Sequence, residues 1–150
     1  MQSTDDLLRL DNQVCFAIVT AARNVVSIYR PILEPLGLTH PQYLVMLALW
    51  EDAPWSLGAL ADELALEPAS LSPLVKRLEA DGLVTRRRSS SDERILLIDV
   101  TAEGRALRQL ALEVPQRVMA AVGLGPEELE ALRDALAPFA GRASRASDIR

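Results

Sequence analysis

The chain has few of the residues that build disulfides and metal centres. Its 150 residues include one cysteine and one histidine. A single cysteine cannot form an intramolecular disulfide, which favours a reducing compartment. One cysteine and one histidine cannot supply the ligands of a protein-only zinc or haem site. We therefore expect no metal and no cofactor.

Long apolar runs are also missing. Charged residues or prolines interrupt every apolar stretch well before the roughly 20 residues that a bilayer span requires. Met1 is followed by Asp5 and Asp6 rather than by a basic and then apolar leader. These features predict a cytoplasmic protein without membrane contact. The 49% of hydrophobic residues suffices for one domain with a core.

Acidic residues outnumber basic residues by 21 to 16, which gives a formal net charge of -5. Nucleic acids attract basic residues, so the total charge argues against such a partner. The distribution argues for one, because residues 68–94 hold six basic and four acidic side chains. A locally basic face can steer binding whatever the total charge.

The helical pattern begins with a long segment. Apolar residues at helical spacing predict a first helix over residues 10–36, which Gly37 ends. Thr39 and Gln42 form a capping-box pattern that opens a second helix, which runs to about Glu51.

The next segments predict a winged helix-turn-helix. Two short amphipathic helices in WSLGALADELALEPASLSPLVKRLEADGL are joined by a tight turn; Ser56 caps the first and Gly82 ends the second. Two β-prone runs, LVTRRR and RILLIDV, flank the polar loop SSSDE and predict a hairpin. Thr101 caps a further helix, in which Pro115 predicts a bend, and Pro126 begins the last helix.

The predicted fold is mainly α with a small β-hairpin wing. We expect one domain over residues 1–150, with dimerisation helices at 10–36 and 101–140, a DNA-binding lobe at 41–100 and a disordered tail at 141–150. The terminal helices carry more apolar residues than the lobe can cover, which predicts a homodimer. A two-fold dimer matches a palindromic operator in double-stranded DNA.

The order of these elements predicts a DNA-binding surface. The recognition helix over residues 68–81 presents small residues first and basic residues later, and an aspartate can hold the wing arginine for the minor groove. Arginines 86 to 88 alternate in direction, so not all of them can face DNA. A merely solvated basic surface is the alternative. The predicted DNA-binding residues are Ala69, Ser70, Ser72, Lys76, Arg77, Arg86, Asp92 and Arg94.

The sequence around Cys15 allows two interpretations of this residue. Free cysteine on an apolar helical face is more often core filling than a sensor. If Asp11 begins the helix, Cys15 lies near the positive end of the helix dipole, which favours a thiolate; a start at Asp5 and Asp6 places it too far away.

Four segments carry a resemblance to a known family: LDNQVCFAIVTAAR, YRPILEPLGLTHPQYLVMLALWE, LEPASLSPLVKRLEADGLVTRRR and SDERILLIDVTAEG. They resemble the MarR family of bacterial winged-helix repressors, and within it the organic hydroperoxide resistance regulator (OhrR) branch. The DER wing and the SPLVKRLE helix are typical of the family, and NQVCF with PQYLVMLALWE of the branch. The resemblance implies a dimeric repressor held together by its first and last helices.

The resemblance also implies a redox mechanism. An organic hydroperoxide oxidises the Cys15 thiolate to sulfenic acid, which proceeds to a mixed disulfide with a small thiol or to a cyclic sulfenamide, and the dimer leaves its operator. Tyrosine hydroxyls surround the sulfur in this branch; Tyr29 is retained, whereas Val19 and His40 replace two others. The implied redox-sensing residues are Cys15, Tyr29 and His40. His40 can donate a hydrogen bond or, when charged, favour the thiolate.

Three other functions are alternatives to the redox-sensing repressor. A MarR-type repressor can respond to a small aromatic or phenolic ligand, with Cys15 as core filling. A winged helix can also bind only protein. A thiol peroxidase is disfavoured because the chain lacks a scaffold of alternating strands and helices, so we expect no enzymatic activity.

Overall fold

The computed structural model describes residues 3–140, and the predicted tail at 141–150 lies outside them. The described residues form helices and strands in a mainly helical order. The helices are α1 (Thr4–Leu7), α2 (Val14–Leu33), α3 (His40–Glu51), α4 (Leu57–Glu63), α5 (Pro68–Ala80), α6 (Ala102–Ala111), α7 (Val114–Val122) and α8 (Pro126–Leu136). The strands are β1 (Trp55–Ser56), β2 (Val84–Arg88) and β3 (Leu96–Val100).

The long first helix is shorter than its apolar pattern suggested. Helix α2 begins at Val14, and 3-10 turns at Leu10–Asn12 and Glu34–Leu36 flank it. None of the three aspartates proposed as its start begins it. Gly37 ends the segment in the left-handed conformation, with φ 69°, as the sequence predicted.

Local capping fixes the helices of the lobe. Thr39 and Gln42 form the predicted capping box of α3. The Ser56 hydroxyl accepts the Ala59 amide at the start of α4, and Gly82 has the left-handed φ of 80° that ends α5.

The hairpin is part of a three-stranded antiparallel sheet with strand order β1-β3-β2. Strands β2 and β3 pair in register from Val84 opposite Val100 to Arg88 opposite Leu96. Strand β1 was not predicted, because two residues are too few to show the alternation that marks a strand. It extends the sheet by pairing Trp55 with Ile98.

The core lies within the winged lobe and extends to Leu33, Ala111 and Val114 of the terminal helices. The terminal helices otherwise expose their apolar faces. Fully buried large side chains include Met46, Leu60, Leu71, Leu78 and Ile98. The large apolar side chains that remain exposed all lie in residues 7–26 or 110–139, except Leu47 and Ile95. An exposed apolar surface of this kind marks an interaction site.

Close contacts join the lobe to α6. The Trp50 indole nitrogen donates to the Gly104 carbonyl oxygen at 2.8 Å, and the Thr101 hydroxyl donates to the Gly82 carbonyl oxygen at 2.6 Å. A Cβ atom at Gly104 would lie 2.7 Å from Val100 Cγ2 and would also clash with the Leu83 carbonyl oxygen. Glycine is therefore required where α6 crosses the base of the wing.

The bend predicted at Pro115 is a break between two helices. Helix α6 ends at Ala111 and α7 begins at Val114. Proline donates no amide hydrogen bond and its ring clashes with the carbonyl group four residues earlier, here that of Ala111.

Candidate functional site

Helix α5 presents the expected sequence of small and basic side chains. Ala69 and Ser70 are exposed in its first turn, and Ser72 is partly buried. Lys76 is exposed and, among residues 3–140, forms no ion pair. Arg77 Nε lies 3.6 Å from Asp81 Oδ2 with 73% of its side chain exposed. An ion pair this open is weak, so a phosphate can replace the carboxylate.

The tip of the wing holds an arginine as the sequence predicted. Arg94 Nε and Nη2 donate to the two carboxylate oxygens of Asp92 at 3.1 and 3.2 Å. The Arg94 amide also donates to Asp92 Oδ1, and hydrogen bonding to Arg94 lowers the pKa of Asp92. The Arg94 side chain remains 90% exposed, so its guanidinium is oriented but open to solvent.

Arg86 is turned toward the recognition helix, which the assignment to DNA binding did not anticipate. Its Nε and Nη2 donate to Glu79 Oε1 at 3.0 and 2.9 Å, and its amide donates to Glu79 Oε2 at 3.1 Å. These bonds to Arg86 lower the pKa of Glu79. The Nε and Nη2 donors that bind Glu79 are not available to phosphate. Contact between Arg86 and DNA remains a prediction that this geometry disfavours.

The predicted DNA-binding residues do not include Glu79, Arg87 and Arg88, which belong to this surface. Glu79 was not singled out, although the two-residue repeat of a strand places Arg86 on the same face as buried Val84. That repeat is the available signal that Arg86 points inward. Arg87 and Arg88 are exposed and, within the part of the chain that the structure describes, have no ion-pair partner.

Cys15 is an exposed free thiol at the second residue of α2. Gln13 precedes the helix but does not cap it, because its side-chain amide donates to the carbonyl oxygens of Leu7 and Arg9. The first amides of α2 thus have no side-chain cap, and Cys15 lies at the positive end of a 20-residue helix. The core-filling interpretation does not hold within the single chain.

Tyr29 and His40 lie together at the other end of α2. Their ring centroids are 4.6 Å apart, and the Tyr43 ring, which the sequence did not flag, lies 5.8 Å from Tyr29. Burial raises the pKa of Tyr29. The pKa of Tyr43 is also raised, first by burial and then by the nearby Tyr29 hydroxyl. Burial lowers the pKa of His40. Burial therefore favours the neutral imidazole, which can still donate a hydrogen bond, over the charged His40 that the sequence also allowed.

The chain does not bring Cys15 near Tyr29. They are fourteen positions apart in α2, and a rise of 1.5 Å per residue puts them about 21 Å apart along the axis. The three implied sensing residues therefore form two groups: the thiol at the start of α2, and Tyr29 with His40 at its end.

A helix-turn-helix followed by a wing, with exposed basic side chains on both, defines a winged-helix DNA-binding regulator. Residues 27–109 match the family model described as "Transcriptional regulator SarA/Rot". The chain is 36% identical over 136 residues to the organic hydroperoxide resistance transcriptional regulator of Bacillus subtilis, which covers 91% of this chain and 92% of that protein. The chain belongs to the MarR family of winged-helix transcriptional regulators.

Two solved structures are similar over most of the chain. Reduced AbfR bound to DNA, from Staphylococcus epidermidis, has a TM-score of 0.76 at 32% identity and covers 91% of this chain and 96% of that one. The repressor CouR of Rhodococcus jostii, bound to a 23-mer DNA duplex, has a TM-score of 0.80 at 27% identity, covering 89% and 96%. These relatives are regulators rather than enzymes. Across residues 3–140, no helix is both long and apolar enough to cross a membrane.

Proposed function

We propose that this protein is a homodimeric repressor that leaves a palindromic DNA operator when an organic hydroperoxide oxidises Cys15. The observation that carries the proposal is the exposed Cys15 thiol at the uncapped start of α2. The likeness to an organic hydroperoxide resistance regulator supports the same chemistry. Because its ligand is DNA, we place the protein in the cytoplasm.

DNA binding in this proposal combines helix α5 and the wing. The first turn of α5 approaches the major groove through its small residues, while Lys76 and Arg77 neutralise phosphates. Arg94, held by Asp92, enters the adjacent minor groove. The lobe over residues 41–100 supplies these contacts.

Dimerisation in this proposal uses the segments at 10–36 and 101–140. Their exposed apolar side chains need a partner surface, and a second copy supplies an identical one. Residues 15 and 29 are equidistant from Ala22, so two antiparallel copies of α2 that cross near Ala22 bring each Cys15 beside the partner subunit's Tyr29. Ala17, Ala21 and Ala22 are small and exposed, which permits close approach there.

The chemistry begins with attack of the Cys15 thiolate on one peroxide oxygen. The O–O bond breaks and the hydroxyl oxygen stays on the sulfur, which is oxidised by two electrons to a sulfenic acid. The other oxygen leaves as an alkoxide that takes a proton from solvent to form the alcohol. The reacting sulfur lies in the first turn of α2, at the positive end of the helix. A small thiol then condenses with the sulfenic acid, releasing water and forming a mixed disulfide. The added group lies where the start of α2 faces the partner subunit's Tyr29, and it changes the spacing of the two recognition helices.

The test is operator binding by reduced and cumene hydroperoxide-treated protein, using a duplex selected by the reduced protein from a random-sequence library. We expect the treated protein to lose affinity, and mass spectrometry of the same sample to show one modified Cys15 per subunit. Cys15→Ser is the matched control and should bind normally before and after treatment. Release of DNA by the Cys15→Ser variant would refute the redox mechanism.

A second candidate is release by a small aromatic ligand. CouR has been solved with p-coumaroyl-CoA, and the structure of BpsR concerns regulation by 6-hydroxynicotinic acid. This chain has a crevice between the end of α2 and helices α6 and α7, lined by Ile32, Pro35, Leu36, Leu110, Glu113, Val114 and Arg117. Ligand-induced release that is equal in wild-type and Cys15→Ser protein would support this candidate.

A further inference from the structure

The pair formed by Glu79 and Arg86 is not used by the proposed contacts with DNA. One carboxylate accepts three hydrogen bonds from a single residue: two from the Arg86 guanidinium and one from its backbone amide. Glu79 therefore fixes both the side chain and the main chain of Arg86. The pair joins the last turn of α5 to the middle of β2.

Exposure separates Arg86 from the other ion-paired arginines that the structure describes. Its side chain is 28% exposed, whereas those of Arg77 and Arg94 are 73% and 90% exposed. An arginine that binds phosphate needs N–H donors that are not already hydrogen-bonded within the protein. Two of the Arg86 donors are directed at one carboxylate oxygen of Glu79.

The position of Arg86 in the sheet lets the pair hold the hairpin as well as the helix. Strand β2 lies at the edge of the sheet, and Arg86 pairs in register with the fully buried Ile98 at the centre of the hairpin. The Arg86 amide would otherwise be an unpaired donor on the open edge. Glu79 accepts a hydrogen bond from this amide and thereby connects the last turn of α5 to the middle of β2.

We propose that Glu79 and Arg86 are a positioning pair that fixes the angle between the recognition helix and the wing, and that Arg86 is not a phosphate contact. Specific binding requires α5 and the wing to enter neighbouring grooves of one duplex together. A preset angle removes part of the ordering cost of that binding. The inference rests on the DNA-binding part of the proposed function.

For the Glu79→Gln variant, electrostatics alone and loss of the positioning pair predict opposite changes in operator affinity. Removing a carboxylate near DNA should strengthen binding if charge alone matters. Loss of the positioning pair should instead weaken binding to a selected operator by about tenfold, and leave binding to a scrambled duplex equal or slightly tighter. Asp81→Asn is the matched control, because it removes the same charge one residue beyond the same helix; we expect no loss of operator affinity.

Two Arg86 variants separate positioning from phosphate contact. Arg86→Lys keeps the charge but loses the planar two-donor geometry, so it should weaken operator binding as much as Glu79→Gln. Arg86→Gln should leave the slope of log affinity against log salt unchanged, whereas Lys76→Gln should reduce that slope by about 1. Circular dichroism and thermal unfolding of each variant report its folding, and Glu79→Gln and Asp81→Asn are compared at equal folded fraction.

Two results would overturn the inference alone. One is operator affinity for Glu79→Gln that equals or exceeds that of the wild type. The other is a salt slope for Arg86→Gln that falls as it does for Lys76→Gln. A wild-type protein without salt-dependent affinity for any duplex would overturn the proposed function and this inference together.

Discussion

Complementation between two defective protomers tests whether the sensing site is shared between subunits. One protomer carries Cys15→Ser and the other carries Tyr29→Phe. If each site joins Cys15 of one subunit to the partner subunit's Tyr29, the heterodimer retains one site with both native residues. If each site lies within one chain, the heterodimer retains none.

The expected magnitude follows from the helix and from one hydrogen bond. Cys15 and Tyr29 are about 21 Å apart along α2, beyond direct contact in one chain. The Tyr29 hydroxyl is expected to hydrogen-bond the thiolate of the facing subunit, and losing such a bond to a charged group costs about 1.5 kcal/mol. The Tyr29→Phe homodimer should therefore react with cumene hydroperoxide about tenfold more slowly than the wild type.

The assay follows the disappearance of the single thiol in a heterodimer purified through two different affinity tags. All thiol signal comes from the Tyr29→Phe protomer, because its partner has serine at position 15. We expect the wild-type rate. A rate equal to that of the Tyr29→Phe homodimer would refute the shared site, and equal rates for the wild-type and Tyr29→Phe homodimers would remove Tyr29 from the mechanism.

Three further predictions concern the wing, the core and one titrating group. Arg94→Ala should weaken operator binding by about 1–2 kcal/mol, since its guanidinium is exposed and oriented; unchanged affinity in fluorescence anisotropy would exclude the wing tip from binding. Gly104→Ala should lower the unfolding free energy by about 2–3 kcal/mol in urea titrations, because its Cβ meets Val100 Cγ2 and the Leu83 carbonyl; a change below about 0.5 kcal/mol would contradict that packing. Burial lowers the pKa of His40 in the folded state, so the unfolded chain takes up a proton first as pH falls through about 6.5. The unfolding free energy should therefore decrease on acidification across that range, and His40→Asn should flatten the profile; identical profiles for the variant and the wild type would show that His40 does not contribute.

Features set by neighbours in sequence were predictable. The caps at Thr39, Ser56 and Thr101 use hydrogen bonds to amides three residues away, and the left-handed Gly82 needs no distant partner. Asp92 holds Arg94 across two residues. Local spacing also placed the helix-turn-helix before the hairpin, which was enough to indicate a winged fold.

Features that depend on contacts between different elements could not be predicted from the sequence. The start of α2 depends on Gln13, whose side chain bonds back to the preceding turn instead of capping the helix. The two-residue strand β1 exists because β3 is beside it. The partner of Arg86 was missed because Glu79 reaches it only once the end of α5 folds against β2.

The sequence by itself determined the order of the helices, their caps, the wing and the presence of a single thiol, since each follows from side chains a few residues apart. Only the tertiary structure decided that Arg86 faces Glu79 and that the Tyr29 ring lies against His40 and Tyr43. The physical reason is that a side chain's direction and its distance from another group depend on how whole elements pack, and no short stretch of sequence contains that information.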